Sequence, residues 1–259
     1  MPLITLTSDF GDNSHYVAIV KGVIYSLISD VTLIDVTHNV NAFDELHAAY
    51  VVKNTMPAFP DGTIHLIAVD PEQNDLNTGI VVKCKNQYLV GANNGVMSLI
   101  CGDIPYECVQ ISNEALFQSK YPNSFRAAQS FGPTAAFLAS GGTMEEIGEP
   151  TELRILHWGE PSYSNNCLRG KIIHIDKFGN AITNIKRDGF MELKQERRFE
   201  IFIRNVRLKR IVNTYSDVSK ADALAIFGES DNLEIAMREA SASELLGLKV
   251  HDMITIEFN

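Results

Sequence analysis

Residues 3–36, LITLTSDFGDNSHYVAIVKGVIYSLISDVTLIDV, decide the fold class of this 259-residue chain. The β-rich run 3–7 ends in a turn signal at residues 8–11, and residues 16–27 carry apolar side chains three and four apart. Residues 31–36 form a second apolar run of strand length. A strand, a helix and a strand in this order predict a Rossmann-like α/β layer with a mostly parallel sheet.

The same alternation continues through the first 160 residues. It predicts helices at residues 44–54 and 132–140, a strand at 62–69, and a hairpin of strands 80–84 and 88–90. After the turn-rich segment 161–166 the pattern changes to short runs separated by turns. We predict strands there at residues 170–175, 182–185, 199–206, 223–227, 233–236 and 253–258, with one helix at 243–248. The chain is therefore expected to form an α/β domain, 1–160, and a smaller, mostly β and barrel-like domain, 165–259.

Composition and charge exclude several classes of protein. Hydrophobic residues make up 45% of the chain and charged residues 21%, which is typical of a globular protein and not of a disordered one. Residues 1–150 carry 6 Lys/Arg against 16 Asp/Glu, a net charge of −10, whereas the remainder is neutral. An acidic body repels phosphate backbones, so we expect no nucleic-acid partner. A cationic small molecule suits it better.

The expected location is the cytoplasm. The N-terminus lacks the basic region of a signal peptide, and no uncharged apolar run reaches the roughly 18 residues of a membrane span. The four cysteines contain no CxxC pair, which favours free thiols over a zinc site or a disulfide framework. No membrane partner is expected.

Three acidic residues fall at the carboxyl ends of predicted strands, where open α/β sheets bind ligands. They are Asp9, Asp35 and Asp70. Such a carboxylate can bind ribose hydroxyls, act as a base or cap the following helix, and for any one of them capping is the simplest interpretation. The dinucleotide fingerprint, the phosphate loop and the nucleophile elbow are all absent from the sequence.

Two further features admit two interpretations each. Asp176, Phe178 and Asn180 alternate, so an extended chain would present an acid, an aromatic ring and an amide on one face, which suits a polar aromatic ligand. A tight hairpin is the alternative. Phe43, in an otherwise polar segment, is either a core residue or a stacking platform.

Several segments together resemble the S-adenosylmethionine (SAM) hydroxide adenosyltransferase family, which includes the SAM-dependent fluorinase and chlorinase. In family order they are residues 4–11 (ITLTSDFG), 21–24 (KGVI), 35–38 (DVTH), 59–65 (FPDGTIH), 69–71 (VDP), 94–95 (NG), 175–185 and 242–249. The resemblance implies an N-terminal α/β domain and a smaller C-terminal β domain. It also implies a homotrimer that binds SAM between the N-terminal domain of one subunit and the C-terminal domain of its neighbour. SAM is then the substrate, and no cofactor or metal is implied.

The resemblance also assigns roles to individual residues. Asp9 would hold the ribose diol, and Phe43 would wall the pocket. Asp176 would bind the methionine amine, while Phe178 and Tyr215 would flank the adenine and Asn180 would hydrogen-bond it. The family's Ser-Ser-Gly-Tyr-Leu-Glu motif corresponds here to residues 229–234 (ESDNLE), which place Glu229, Ser230 and Glu234 in the pocket, and Met237 would offer backbone groups to adenine. Glu229 replaces a family serine.

The catalytic positions differ from the family pattern. The hydrolases carry an Asp, an Arg seven residues later, and a His. Asp70 is present here, but Asn77 occupies the Arg position and Arg126 the His position, and Asn93 stands where the family usually has Asp. Arg126 could restore the lost cation and pair with Asp70, but a guanidinium cannot act as a base.

We therefore expect a SAM hydrolase that forms adenosine and L-methionine. Asp70, Arg126 and Asn77 would be the residues at its catalytic positions. Halogenation is disfavoured because no hydroxyl-rich halide pocket is visible around Ala127. The alternative is a catalytically impaired protein of the same fold that binds SAM or adenosine without turnover.

Overall fold

The computed structural model describes residues 1–70 and 79–259, and these divide into two compact units, residues 1–157 and 158–259. The strands of the first unit are β1 (Leu3–Ser8), β2 (Thr32–Thr37), β3 (Ile64–Ala68), β4 (Gly79–Cys84), β5 (Gln87–Ala92) and β6 (Tyr106–Gln110). Its helices are α1 (Tyr16–Leu27), α2 (Glu45–Thr55), α3 (Val96–Cys101) and α4 (Gly132–Ala139), the last preceded by a π-helical turn at Ala127–Phe131.

The first unit is a six-stranded sheet with the order β2–β1–β3–β5–β4–β6. The pairings β2–β1, β1–β3 and β3–β5 are parallel, and β4 runs antiparallel to both of its neighbours. Strand β3 is buried along its whole length, and β1 is buried after its first residue, so both faces of these strands are covered. The predicted α/β layer is confirmed, and the carboxyl ends of β2, β1 and β3 meet at one edge.

The second unit is a nearly closed, mostly antiparallel sheet. Its strands are β7 (Ser162–Ser164), β8 (Cys167–Ile175), β9 (Ala181–Lys186), β10 (Phe199–Ile203), β11 (Val206–Leu208), β12 (Ile211–Val212), β13 (Ala223–Phe227), β14 (Asn232–Met237) and β15 (Met253–Phe258). Helices α5 (Arg187–Lys194) and α6 (Ala242–Leu246) accompany them. The strand order is β11–β10–β15–β8–β9–β14–β13–β12, with β7 on β8, which confirms the barrel-like domain.

Some predicted elements are wrong in detail. The single run predicted at 199–206 is a hairpin of β10 and β11, because Arg204 takes a left-handed φ of 49° and turns the chain. Helices α3 and α5 were not predicted. The four cysteines are free and buried, as expected. Within the two described stretches, 1–70 and 79–259, no helix has the length and apolar character needed to cross a membrane.

Candidate functional site

The loops that follow β1, β2 and β3 meet at the side chain of Asp9. Its Oδ2 accepts a hydrogen bond from the backbone N–H of Phe43 at 3.2 Å and lies 3.4 Å from the backbone N–H of Asp70. Asp9 follows β1, Phe43 lies in the loop after β2, and Asp70 lies just beyond β3. The structure thus brings three predicted site residues of the first unit together.

Both partners of Asp9 have unusual backbone conformations. Phe43 has a φ of 62° and Asp70 a φ of 40°, in the left-handed region that costs non-glycine residues free energy. The ring of Phe43 is 71% exposed. Phe43 is therefore not a core residue, and the structure favours the alternative of a platform at the sheet edge.

Of two neighbouring asparagines, Asn94 fixes the chain at Asp70 and Asn93 fixes residues 152–154. Buried Asn94 donates from Nδ2 to the carbonyl oxygens of Val69 and Asp70, at 2.9 and 3.4 Å. Asn93 donates to the carbonyl oxygen of Glu152 and accepts the N–H of Arg154. The sequence marked Asn94 only as part of a family segment. Asn94 supports Asp70 through bonds to backbone carbonyl groups. Every residue has such a group, so the sequence does not show which ones Asn94 binds.

Asp35 does not join the other two acids. Its Oδ2 lies 2.6 Å from Nζ of Lys21 on α1, and its Oδ1 lies 3.1 Å from Nε2 of His38. Burial by itself raises the pKa of Asp35, but hydrogen bonds from Lys21 and His38 outweigh it and hold the pKa below its usual value. Only two of the three acids thus converge, because α1 provides Asp35 with a cation.

Arg126 lies against the π-helical turn that precedes α4. Its guanidinium lies 5.3 Å from the centre of the Phe131 ring, and it lines a cavity of about 610 Å³ with Glu114, Phe117, Ser119, Asn123 and Gln129. Burial lowers the pKa of the guanidinium. Asn77 lies outside the described residues, and the predicted pairing of Arg126 with Asp70 stays a prediction.

The loop between β8 and β9 contains the predicted acid, ring and amide. Oδ1 of Asp176 accepts the backbone N–H groups of Phe178 and Asn180, and Oδ2 accepts Nδ2 of Asn180 at 2.9 Å. Gly179 turns the chain with a φ of 83° and lies so close to Ser241 that a Cβ would sit 2.1 Å from the serine Oγ. The extended-chain interpretation is therefore wrong, and the alternative, a tight hairpin, is confirmed.

The hairpin nevertheless places all three side chains at one cavity, of about 560 Å³. The residues that line it are Asp176, Phe178, Asn180, Tyr215, Met237, Glu239 and Ala240. The ring of Phe178 is 78% exposed, so its face is accessible to a ligand in this cavity. Glu239 and Ala240 were not predicted, since they follow β14 in a turn with no sequence motif.

Glu234 lies behind this cavity and contacts it through Tyr215. The phenol of Tyr215 donates to Oε2 of Glu234 at 3.2 Å. Burial, followed by the charges of Glu234 and Asp176, raises the pKa of Tyr215 to about 12. Burial also raises the pKa of Glu234, and the Asp176 and Glu229 carboxylates add to this effect. Gly228 makes room, because a Cβ there would overlap the Glu234 carboxyl group.

Glu229 and Ser230 lie in the turn between β13 and β14 and are not among the residues that line the cavity in the described part of the chain. Glu229 is exposed, and the carbonyl oxygen of Ser230 accepts Nζ of Lys186 at 2.8 Å. Asp176 and Glu239 are the acidic residues that line the cavity, and Glu234 lies behind it, hydrogen-bonded to Tyr215. The electrostatic character of the cavity suits a ligand with a positive charge and an aromatic ring.

Both units of the chain match models of one protein family. Residues 4–148 match the model of the SAM hydroxide adenosyltransferase N-terminal domain, and residues 170–255 match that of the C-terminal domain. The chain belongs to the SAM hydroxide adenosyltransferase family. Asp9, Phe43 and Asp70 fall within the first matched range of this family, and the cavity around Phe178 falls within the second.

Individual members of the SAM hydroxide adenosyltransferase family match over nearly the whole chain. A protein of Methanocaldococcus jannaschii named (R)-S-adenosyl-L-methionine hydrolase is 27% identical, covering 99% of this chain and 96% of the relative. A Thermus thermophilus protein of the same name is 29% identical, covering 93% and 94%. The crystal structure of an uncharacterized conserved protein from Thermotoga maritima is 31% identical, with a TM-score of 0.89 and 98% and 99% of the two chains covered.

Proposed function

We propose that this protein hydrolyses SAM to adenosine and L-methionine. The observation that carries the proposal is the match, over 93–99% of the chain, to two proteins named (R)-S-adenosyl-L-methionine hydrolase. The acids at the sheet edge and the acidic, aromatic cavity of the second unit support it, because SAM joins a cationic sulfonium and an ammonium group to an adenine ring.

The chemistry needs few side chains. The oxygen of a water attacks C5′ as the C5′–S bond breaks, and methionine leaves as a neutral thioether with the bonding electron pair on sulfur. No acid is needed for the leaving group, so the protein must orient and desolvate the water and accept its proton. We assign Asp70 as the group that accepts the proton of the water, because the guanidinium of Arg126 cannot accept one.

The family resemblance supplies the binding roles, and the positions of the side chains support them. Asp9 holds the ribose diol, and Phe43 forms a wall beside it. Asp176 binds the methionine amine, and the rings of Phe178 and Tyr215 flank adenine. Asn180 uses Nδ2 for Asp176, so its Oδ1 is the atom that accepts the adenine amino group. Glu234, Met237, Glu229 and Ser230 complete the proposed pocket.

The second candidate function is binding of SAM or adenosine without turnover. The observation that favours it is Arg126, half-buried at the position where the hydrolases of the family carry His. Incubation of the purified protein with SAM, followed by chromatography, distinguishes the two functions. Release of more than one molecule of adenosine per protein subunit supports hydrolysis. Retention of unreacted SAM or adenosine through purification, with no release over time, supports the binding protein.

Replacement of Asn180 by Ala is expected to weaken adenosine binding. A desolvated adenine edge would lose its partner, at a cost of about 1–3 kcal/mol, and Asp176 would lose one of its donors. Titration calorimetry with adenosine measures the change. An unchanged affinity would remove Asn180 from the site, and Asn184→Ala, on the neighbouring strand β9, provides a matched control.

We also propose that the protein is a homotrimer in which two subunits share each SAM molecule. The proposed ribose residues lie in the first unit and the proposed adenine residues in the second. Multi-angle light scattering should give a mass near three times 28.7 kDa. A monomer that still binds SAM would contradict the shared site.

A further inference from the structure

The loops that carry Asp9 and Phe43 are joined at His38. The backbone N–H of Gly11 donates to the carbonyl oxygen of His38 at 2.8 Å, and the N–H of Val40 donates to that of Ser8 at 3.3 Å. The loop after β1 and the loop after β2 are therefore held together by two backbone hydrogen bonds, one at His38 and one at Val40. From the sequence alone, this histidine has no role beyond its place in the family segment 35–38.

The side chain of His38 adds a second connection between the same strands. Its Nδ1 lies 2.8 Å from the hydroxyl of Ser8, the last residue of β1. Its Nε2 lies 3.1 Å from Oδ1 of Asp35, in a close polar contact that departs from ideal hydrogen-bond geometry. Asp35 in turn pairs with Lys21. A polar chain thus runs from Lys21 on α1 through Asp35 and His38 to Ser8, beside Asp9.

The charges along this chain set the proton positions. Lys21 and His38 keep the pKa of Asp35 low against the opposing effect of partial desolvation, so a carboxylate faces Nε2 of His38. A carboxylate favours the proton on that nitrogen, which leaves Nδ1 to accept the hydroxyl hydrogen of Ser8. The imidazole then has one orientation, and so does the hydroxyl of Ser8.

The neighbouring site needs such support. Phe43 combines a left-handed backbone with a ring that is mostly exposed, and its N–H contact to Asp9 is 3.2 Å long. A strained, exposed residue keeps its conformation only where its surroundings hold it. The His38 contacts supply a rigid attachment within a few residues of both Asp9 and Phe43.

We propose that His38 is a positioning residue for the hydrolysis, because its contact with Ser8 holds the loops of Asp9 and Phe43 where these two residues meet the ribose. This inference rests on the proposed function. His38 touches no reacting atom in it. The ribose is held in both the ground state and the transition state, so loss of His38 should act on KM more than on kcat.

Three substitutions separate positioning from ordinary packing. The amide of Asn reaches about as far as Nδ1 of His, whereas that of Gln reaches about as far as Nε2. His38→Asn therefore keeps the Ser8 contact, and His38→Gln keeps the Asp35 contact alone. We expect the KM for SAM to rise about tenfold in His38→Gln and His38→Ala, by less than about threefold in His38→Asn, and kcat to change less than about threefold in all three. His251→Asn, in an exposed turn of the second unit, is the matched control.

Hydrogen exchange followed by mass spectrometry tests the connection itself. Peptides covering residues 8–12 and 38–44 should exchange faster in His38→Gln than in His38→Asn, while the rest of the first unit exchanges as in the wild type. The role of His38 would be overturned if the wild type is active and His38→Asn and His38→Gln have the same KM for SAM and the same exchange rates. A wild type that never turns over SAM would instead overturn the proposed function, and with it the reaction that His38 would serve.

Discussion

Asp70→Asn is expected to lower the rate of SAM hydrolysis by about 100- to 10,000-fold, the usual effect of losing a general base. Asp70 is 5% exposed, and its backbone N–H lies 3.4 Å from the carboxylate that we assign to the ribose. The backbone of Asp70, to which the side chain is attached, therefore lies next to the proposed ribose site. With Arg126 unable to accept a proton, Asp70 is the carboxylate that remains from the catalytic residues of the family.

Asparagine is the appropriate replacement at this position. It has the size of aspartate, and it tolerates the left-handed φ of 40° better than most residues. The backbone contact to Asp9 is preserved, so the affinity for adenosine should change less than about threefold. Asp103→Asn, at an exposed position after α3, controls for the loss of one negative charge. Adenosine release by Asp70→Asn within about threefold of the wild-type rate would show that no side-chain base acts at Asp70.

Much of the fold could be predicted because its strands are short, apolar and buried. Strand β3 is buried at all five positions, and its sequence IHLIA is bounded by clear turn signals. Helix α3 was missed for the opposite reason. All six of its residues are buried, so it has no polar face to create a helical period. Helix α5 is only eight residues long and contains Gly189, and a glycine inside a short segment argues against a helix.

The candidate site was only partly predictable from the residues themselves. Strand order brings Asp9 and Asp70 to one edge, and parallel-sheet topology anticipates this. The partners of Asp9, however, are backbone N–H groups 34 and 61 positions away, and every residue except proline carries such a group. Asp35 looked equivalent to the other acids until α1 placed Lys21 beside it. The sequence shows which residues are acidic but not which cation neutralises them.

The hairpin at residues 176–180 illustrates a second limit. Alternation along the sequence predicted a shared face, and the side chains do share a cavity, but through a turn rather than a strand. Asp176 builds that turn by accepting two backbone N–H groups. A residue can thus serve the local fold and line a pocket at once, and sequence reasoning that treats the two as alternatives will miss this.

The double variant Asn77→Arg, Arg126→His is expected to hydrolyse SAM about 100-fold faster than the wild type, while Arg126→His alone should gain nothing. The single variant places an imidazole, mostly neutral at pH 7, where the cation was, so the positive partner that we predict for Asp70 and the nucleophile would be lost. The double variant restores the cation at position 77 and adds a group that can move a proton at position 126. Asn77→Arg alone would provide two guanidinium groups and no new base, so we expect a rate close to that of the wild type.

Adenosine release from SAM, measured by chromatography in the four proteins, tests this directly, and adenosine affinity measured by calorimetry verifies that each still binds. The prediction depends on the rates being limited by the side chains at positions 77 and 126. The rest of the segment 71–77, in which Glu72 and Gln73 follow Pro71, is unchanged in the double variant. A double variant that binds adenosine normally but is no faster than the wild type would place the limitation in that segment. Recovery in Arg126→His alone would contradict the need for a cation beside Asp70.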